Sequence, residues 1–241
     1  MLSIARKEFV ALFKSIKSIL IILIMIAISL GIAKLLSLFG SQINSVTGLE
    51  KTPFQLALLL TVLLTSPLFV FTLSHNIINE EVKSRTIRFI ATKTNRSHIL
   101  LGKFIGALLF WLTCLFITTL LLIFYSHEFY LLELLQCLVF VSYFLALATL
   151  LSVLIDNTIL TNFLGIALSL IMTILGLWST NSDKIWLKLF SYITPYFYYL
   201  KDNPAMPFIV VIFPIVFLII SGYVFRTVSY THLTLPTNRE V

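Results

Sequence analysis

Three polar spacings at one place in the chain have the residue types of hydrolytic chemistry. Glu80-Glu81-Val82-Lys83-Ser84-Arg85 reads E-E-x-x-x-R, Phe71 and His75 give F-x-x-x-H, and His75 and Asn79 give H-x-x-x-N. A carboxylate and an imidazole are groups that activate water for attack on an amide. Such a site needs at least two histidines and a carboxylate converging from different helices in a sheltered cavity. Here the patterns overlap within residues 71–85, share one histidine and run directly into a basic segment. A polar histidine at the end of an apolar stretch is the plainer reading.

The basic segment is the second candidate. "NEEVKSRTIRFIATKTNRSHILLGKF" spans Asn79 to Phe104, and Lys83 to Lys103 holds six of the chain's seventeen Lys and Arg. Gly102-Lys103 is not a phosphate loop, because the upstream Gly and the following Ser or Thr that would reach magnesium are missing. Ile78, Val82, Phe89 and Ile90 recur at near-helical spacing, with Lys83, Arg85 and Arg88 between them. That spacing predicts a short amphipathic helix. "KTNRS" breaks it, and Asn95 or Ser97 is expected to cap the next helix. A basic helix beneath a membrane lies on lipid or docks on a soluble partner. A simple charge anchor is the plain alternative.

The elements that must position these residues are apolar. Of 241 residues, 59% are hydrophobic and 11% charged, against about 25% charged in a soluble domain. Six stretches approach the twenty or so residues an α-helix needs to cross the hydrocarbon. They run approximately Ser18–Ser37, Phe54–Leu73, Phe104–Tyr125, Leu134–Ile155, Ile159–Trp178 and Pro207–Phe225. The fold class is therefore an all-α polytopic membrane protein, with one membrane domain over 1–226 and a tail over 227–241. Apart from Lys34, these spans hold no Asp, Glu, Lys, Arg or His, and Lys34 lies near an end where its stem lets the ammonium reach the interface. The first span is too long for a signal peptide and is expected to stay as an anchor.

Charge fixes the expected orientation. With both termini cytoplasmic, twelve Lys and Arg lie inside and five (Lys34, Lys51, Lys184, Lys188, Lys201) lie outside, as the positive-inside rule requires. The net charge of +7 then reflects topology and anionic headgroups. No basic run accompanies an exposed soluble module, so nucleic acid is not an expected partner. In the N-terminal segment Leu2, Ala5, Phe9, Leu12 and Ile16 share one stripe, with Lys7, Lys14 and Lys17 off it. An interfacial elbow helix leading into the first span is expected.

Other residues carry weaker signals. Thr113, Thr118, Thr119, Asn162 and Thr173 are candidates to line a central cavity. Hydroxyls in membrane helices more often bond their own backbone or a neighbouring helix. Cys114 and Cys137 read as small apolar side chains, with no disulfide or metal framework. Tyr192, Tyr196, Phe197, Tyr198 and Tyr199 read as an outer interfacial belt. Pro195, Pro204 and Pro207 suit turns and helix starts, and Pro67 and Pro214 are expected to bend spans two and six. The ending "TVSYTHLTLPTNREV" has no apolar period and resembles vector or adapter read-through.

Taken together, the arrangement resembles the permease subunits of type-2 ABC transporters. Those have six spans, an N-terminal elbow and a block between spans two and three. In the block an acidic pair is followed by Gly-Thr, an aliphatic segment, Pro, Arg, and a Gly-Lys opening span three. This chain supplies Glu80-Glu81, Thr86, "IRFIATKT", Arg96 and "LLGK" ending at Lys103, with Arg85 in place of Gly and Thr94 in place of Pro. The long segment before the last span is similar to the family's outer re-entrant segment.

The resemblance implies a transport subunit without its own catalytic or cofactor site. ATP and magnesium would be bound by a separate ABC ATPase subunit, and a second permease copy would complete the membrane body. Glu80, Glu81, Arg85, Thr86, Arg88, Arg96, Gly102 and Lys103 would form the ATPase-coupling loop, with a cytoplasmic coupling helix. The substrate is unspecified: an amphipathic peptide, drug or lipid-like molecule. Two alternatives stay open. The E-E-x-x-x-R and F-x-x-x-H patterns resemble intramembrane CAAX-type proteases, a reading that loss of all activity on changing Glu81 or His75 would favour. A non-transporting immunity or sensor protein is the other.

Overall fold

Among the described residues, six helices are long and apolar enough to cross a membrane: Ile16–Leu38, Pro53–Ser74, Arg96–Ser126, Leu131–Leu154, Thr158–Ser179 and Met206–Thr227. The computed structural model describes residues 1–47, 52–79, 95–180, 182–201 and 203–231. Every regular element among them is helical. These are α1 (Leu2–Lys14), α2 (Ile16–Thr47), α3 (Pro53–Ser74), α4 (Arg96–Ser126), α5 (Leu131–Leu154) and α6 (Thr158–Ser179). The short α7 (Ile185–Ile193) and α8 (Tyr196–Tyr199), a 3-10 helix (Met206–Val211) and α9 (Ile212–Thr231) complete the order. The protein is a multi-pass helical membrane protein.

The bundle is built around α5. About two thirds of its most apolar window is buried (67%), against 22% for the first, fifth and sixth spans. It packs on α3, α4, α9 and the 3-10 helix, while α3 joins it to α2 and α6. The outer faces carry Leu23, Ile159, Phe163, Ile174, Trp178, Ile219 and Tyr223, all exposed. In water these faces would be an aggregation surface; against acyl chains they are at rest.

Local sequence explains how the helices start, stop and meet. Thr52 and Gln55 form a reciprocal capping box at the head of α3, followed by Pro53 at its first position. At the other end of α4, His127 turns the chain in the left-handed region (φ 57°). On α6 the buried residues are all small: Thr161, Gly165, Ser169, Gly176 and Ser179. A side chain on Gly165 would meet Phe71 of α3 at 2.9 Å. A small-residue stripe of this kind lets membrane helices approach closely where no hydrophobic effect drives them together.

Two expectations change. The third span begins at Arg96 instead of Phe104, because Arg96, His98 and Lys103 lower hydropathy without opposing helix formation. Asn95 occupies the cap position of α4 but its side chain makes no capping hydrogen bond; Ser97 instead accepts a 2.7 Å bond from Arg226 of α9. Pro214 falls in the first turn of α9, after the 3-10 helix. It lies inside the sixth span, Met206–Thr227. Pro67 lies inside α3. α9 runs on to Thr231, into the segment read as tail.

The aromatic segment before the last span is also more than a belt. Tyr196 is fully buried, and its hydroxyl shares its proton between Leu63 O of α3 (3.1 Å) and Thr173 Oγ1 of α6 (2.9 Å). Its ring lies where any Cβ on Gly176 would stand. Tyr199 donates to the carbonyl of Gln136 in α5, while Tyr192 stays exposed. Aromatic rings suited to an interface are equally suited to a buried post when their hydroxyls find backbone acceptors.

Candidate functional site

The residues proposed for coupling divide into two groups. Glu80, Glu81, Arg85, Thr86 and Arg88 lie outside the described residues, as does most of the predicted amphipathic helix. Arg96, Gly102 and Lys103 lie on the first turns of α4. The structure thus defines the residues on either side of the basic segment, Asn79 and Asn95.

The point of departure is Asn79. It is 1% exposed. The backbone N–H groups of Ile78 and Asn79 both donate to Ser152 Oγ of α5, at 2.9 and 3.1 Å. Its side-chain amide donates to Ile155 O at 3.1 Å and to Thr161 Oγ1 of α6 at 2.9 Å. Thr161 in turn donates to Asn157 O, which fixes the direction of its hydroxyl. Backbone N–H groups that have run out of helix are thereby satisfied by one serine, as buried donors require. The end of α3 is locked to the α5–α6 connection immediately before residue 80.

The point of return is the head of α4, covered by α1. Gly102 and Gly106 face α1. A Cβ at Gly106 would stand 2.5 Å from Ala5 O, and one at Gly102 would stand 3.1 Å from Met1 O. Between them Lys103 Nζ donates to Glu8 Oε2 at 2.9 Å, with side chains 7% and 20% exposed. Phe13 closes the seat with its ring 4.9 Å from Phe110. Gly102 and Lys103 therefore face the bundle's own first helix. The apolar stripe foreseen for α1 is partly shifted: Ala5 is buried and Phe9, Leu12 and Phe13 pack on the core, whereas Leu2 and Ile16 are 80% and 82% exposed.

The hydroxyls considered for a cavity bond mostly to their own helices. Thr113 donates to Leu109 O (2.6 Å), Thr118 to Cys114 O (2.9 Å), Thr119 to Leu115 O (2.9 Å) and Thr173 to Ser169 O (2.8 Å). Thr113 borders a groove between α1 and α4. Asn162 differs: its Oδ1 is buried without a hydrogen-bond donor. His75, central to the hydrolytic reading, turns Nδ1 back toward Phe71 O (3.2 Å) and Thr72 O (3.1 Å) of its own helix.

Several residues that organise this region carried little warning in the sequence. Glu8, Ser152 and Thr161 are ordinary side chains whose importance lies in distant partners. Gly102 and Gly106 did carry a signal, since G-x-x-x-G within an apolar helix marks a close helix contact. Compared with protein-family models and with curated proteins, the chain matches none.

Proposed function

We propose that the chain is the permease subunit of an ATP-binding cassette exporter in the cytoplasmic membrane, with both termini inside. In this reading two permease chains pair, and separate ATPase subunits supply the energy. α1 serves as the elbow helix, the basic segment within 80–94 as the coupling helix, and α7 to the 3-10 helix as the outer re-entrant segment. The cargo is an amphipathic peptide, drug or lipid-like molecule.

One observation carries the reading. The residues that flank the basic segment are anchored in the membrane body, Asn79 to Ser152 and Thr161 and α4 to α1 by the Glu8–Lys103 pair. A soluble motor pressing on that segment would load α5 and α6 at one end and α1 and α4 at the other. Rigid-body rocking of spans between two access states needs such an input. A chain with no phosphate-binding loop in its sequence would receive that input from another polypeptide.

The test is reconstitution with the ATPase that copurifies from native membranes. Arg88→Glu, alone and with Arg96→Glu, is expected to leave membrane insertion intact and to abolish stimulation of ATP hydrolysis. Undiminished stimulation in both variants, or full activity of the chain with no ATPase present, rejects the proposal.

A further inference from the structure

α1 leaves an apolar groove beneath it. Leu2, Ala5 and Phe9 of α1 and Leu109, Leu112 and Phe116 of α4 wall a groove of about 630 Å³. Its polar wall residues are Arg6 and Thr113, and Thr113 donates its hydroxyl to Leu109 O, so the apolar part of the groove asks for no polar occupant. Leu109 and Phe116 are exposed on the outer surface of a membrane-crossing helix, which means the groove opens sideways into hydrocarbon.

The mouth of the groove is cationic. Arg6 borders both the groove and an adjoining hollow on α1 formed with Lys7 and Lys14. All three are exposed. Glu8 is the only carboxylate of α1, and it is turned away to Lys103. Among the described residues no other ion pair engages α1. Among the described residues, Arg6 at the groove and Lys7 and Lys14 in the adjoining hollow thus stand without a carboxylate partner.

From this juxtaposition we infer that the α1–α4 groove is a binding site for one anionic phospholipid. An acyl chain lies under α1 along Leu109 to Phe116, and the phosphate headgroup sits on Arg6, Lys7 and Lys14. Charge complementarity selects the lipid class, because each Lys or Arg near an anionic headgroup strengthens binding by about fivefold. The groove selects a lipid over a soluble anion, because the acyl chain supplies the apolar contact. This inference does not depend on the transport reading.

The test uses the delipidated full-length chain in neutral detergent, titrated with phosphatidylglycerol or phosphatidylcholine and read by native mass spectrometry. The expected result is one tightly held phosphatidylglycerol and much weaker phosphatidylcholine. Replacing Arg6, Lys7 and Lys14 together by Gln is expected to lower phosphatidylglycerol affinity by about a hundredfold, to the phosphatidylcholine level. Filling the groove with Leu112→Trp is expected to weaken both lipids; Thr113→Phe serves the same purpose if the first variant unfolds. Equal binding of the two lipids by the wild type overturns the site. So does tight binding that survives a filled groove in a folded variant, or displacement of the lipid by millimolar inorganic phosphate.

Discussion

Glu8 and Lys103 stand 95 positions apart in sequence and meet in a 2.9 Å ion pair where α1 packs on α4. The lysine is the more buried partner, so the carboxylate beside it replaces part of the hydration it has lost. Losing Glu8 takes the carboxylate away from a cation that sits in a poorly hydrated place. Removing one partner of a buried pair is far more damaging than replacing both.

Lys103→Met and Glu8→Gln are each expected to destabilise the protein by about 2 kcal/mol, reduced from the fully buried case because Glu8 keeps some contact with solvent. The double variant is expected to cost clearly less than the sum of the two. Unfolding in mild detergent, arranged as a double-mutant cycle, measures the coupling. Additive losses would show that the pair contributes nothing.

The glycines separate by what a methyl group would meet. At Gly106 it would collide with the Ala5 carbonyl, which is backbone and cannot rotate away, whereas at Gly31 and Gly222 nothing lies within 4 Å. Gly106→Ala is expected to cost about 1–3 kcal/mol and to loosen α1, read by faster proteolysis of the N-terminal segment. Gly31→Ala and Gly222→Ala are expected to be neutral or stabilising by up to about 1 kcal/mol.

Ser152 accepts two backbone N–H groups at once. Ser152→Ala leaves both buried donors without a partner, an expected loss of about 2 kcal/mol. Hydrogen exchange is the discriminating readout: protection at Ile78 and Asn79 should fall while that of mid-span α5 is unchanged. Asn79→Ala is expected to have the smaller effect on those two amides, because the serine remains to accept them.

Tyr196 is tested through its hydroxyl and through its ring. Tyr196→Phe removes the bonds to Leu63 and Thr173 and is expected to cost about 1–2 kcal/mol. Gly176→Ala drives a methyl into the ring and is expected to be worse. Thermal unfolding of the two variants, side by side, gives the order.

Much of the membrane body is legible in the sequence because hydrocarbon leaves helices few choices: apolar runs of about twenty residues mark spans to within a few positions. The third span is the instructive exception. Hydropathy places its start at Phe104, yet the helix begins at Arg96, since backbone bonding continues where the side chains turn polar. The site is less legible. Lys103 reads as part of a solvated basic segment, but a carboxylate from the far end of the chain buries it. Tyr196 reads as belt, but acceptors on two other helices make it a post. Both errors have one physical origin: a local pattern reports polarity, while burial depends on partners that are close only after folding.

The seat of α1 has a consequence for biosynthesis. Translation delivers roughly 5–20 residues each second, and Lys103 follows Glu8 by 95 positions, so the first helix made waits on the order of ten seconds for its resting place. Until α4 emerges from the ribosome, α1 has its packing on α2 but lacks its seat. Completion of the third span is thus the moment at which the nascent chain first ties its beginning to its middle.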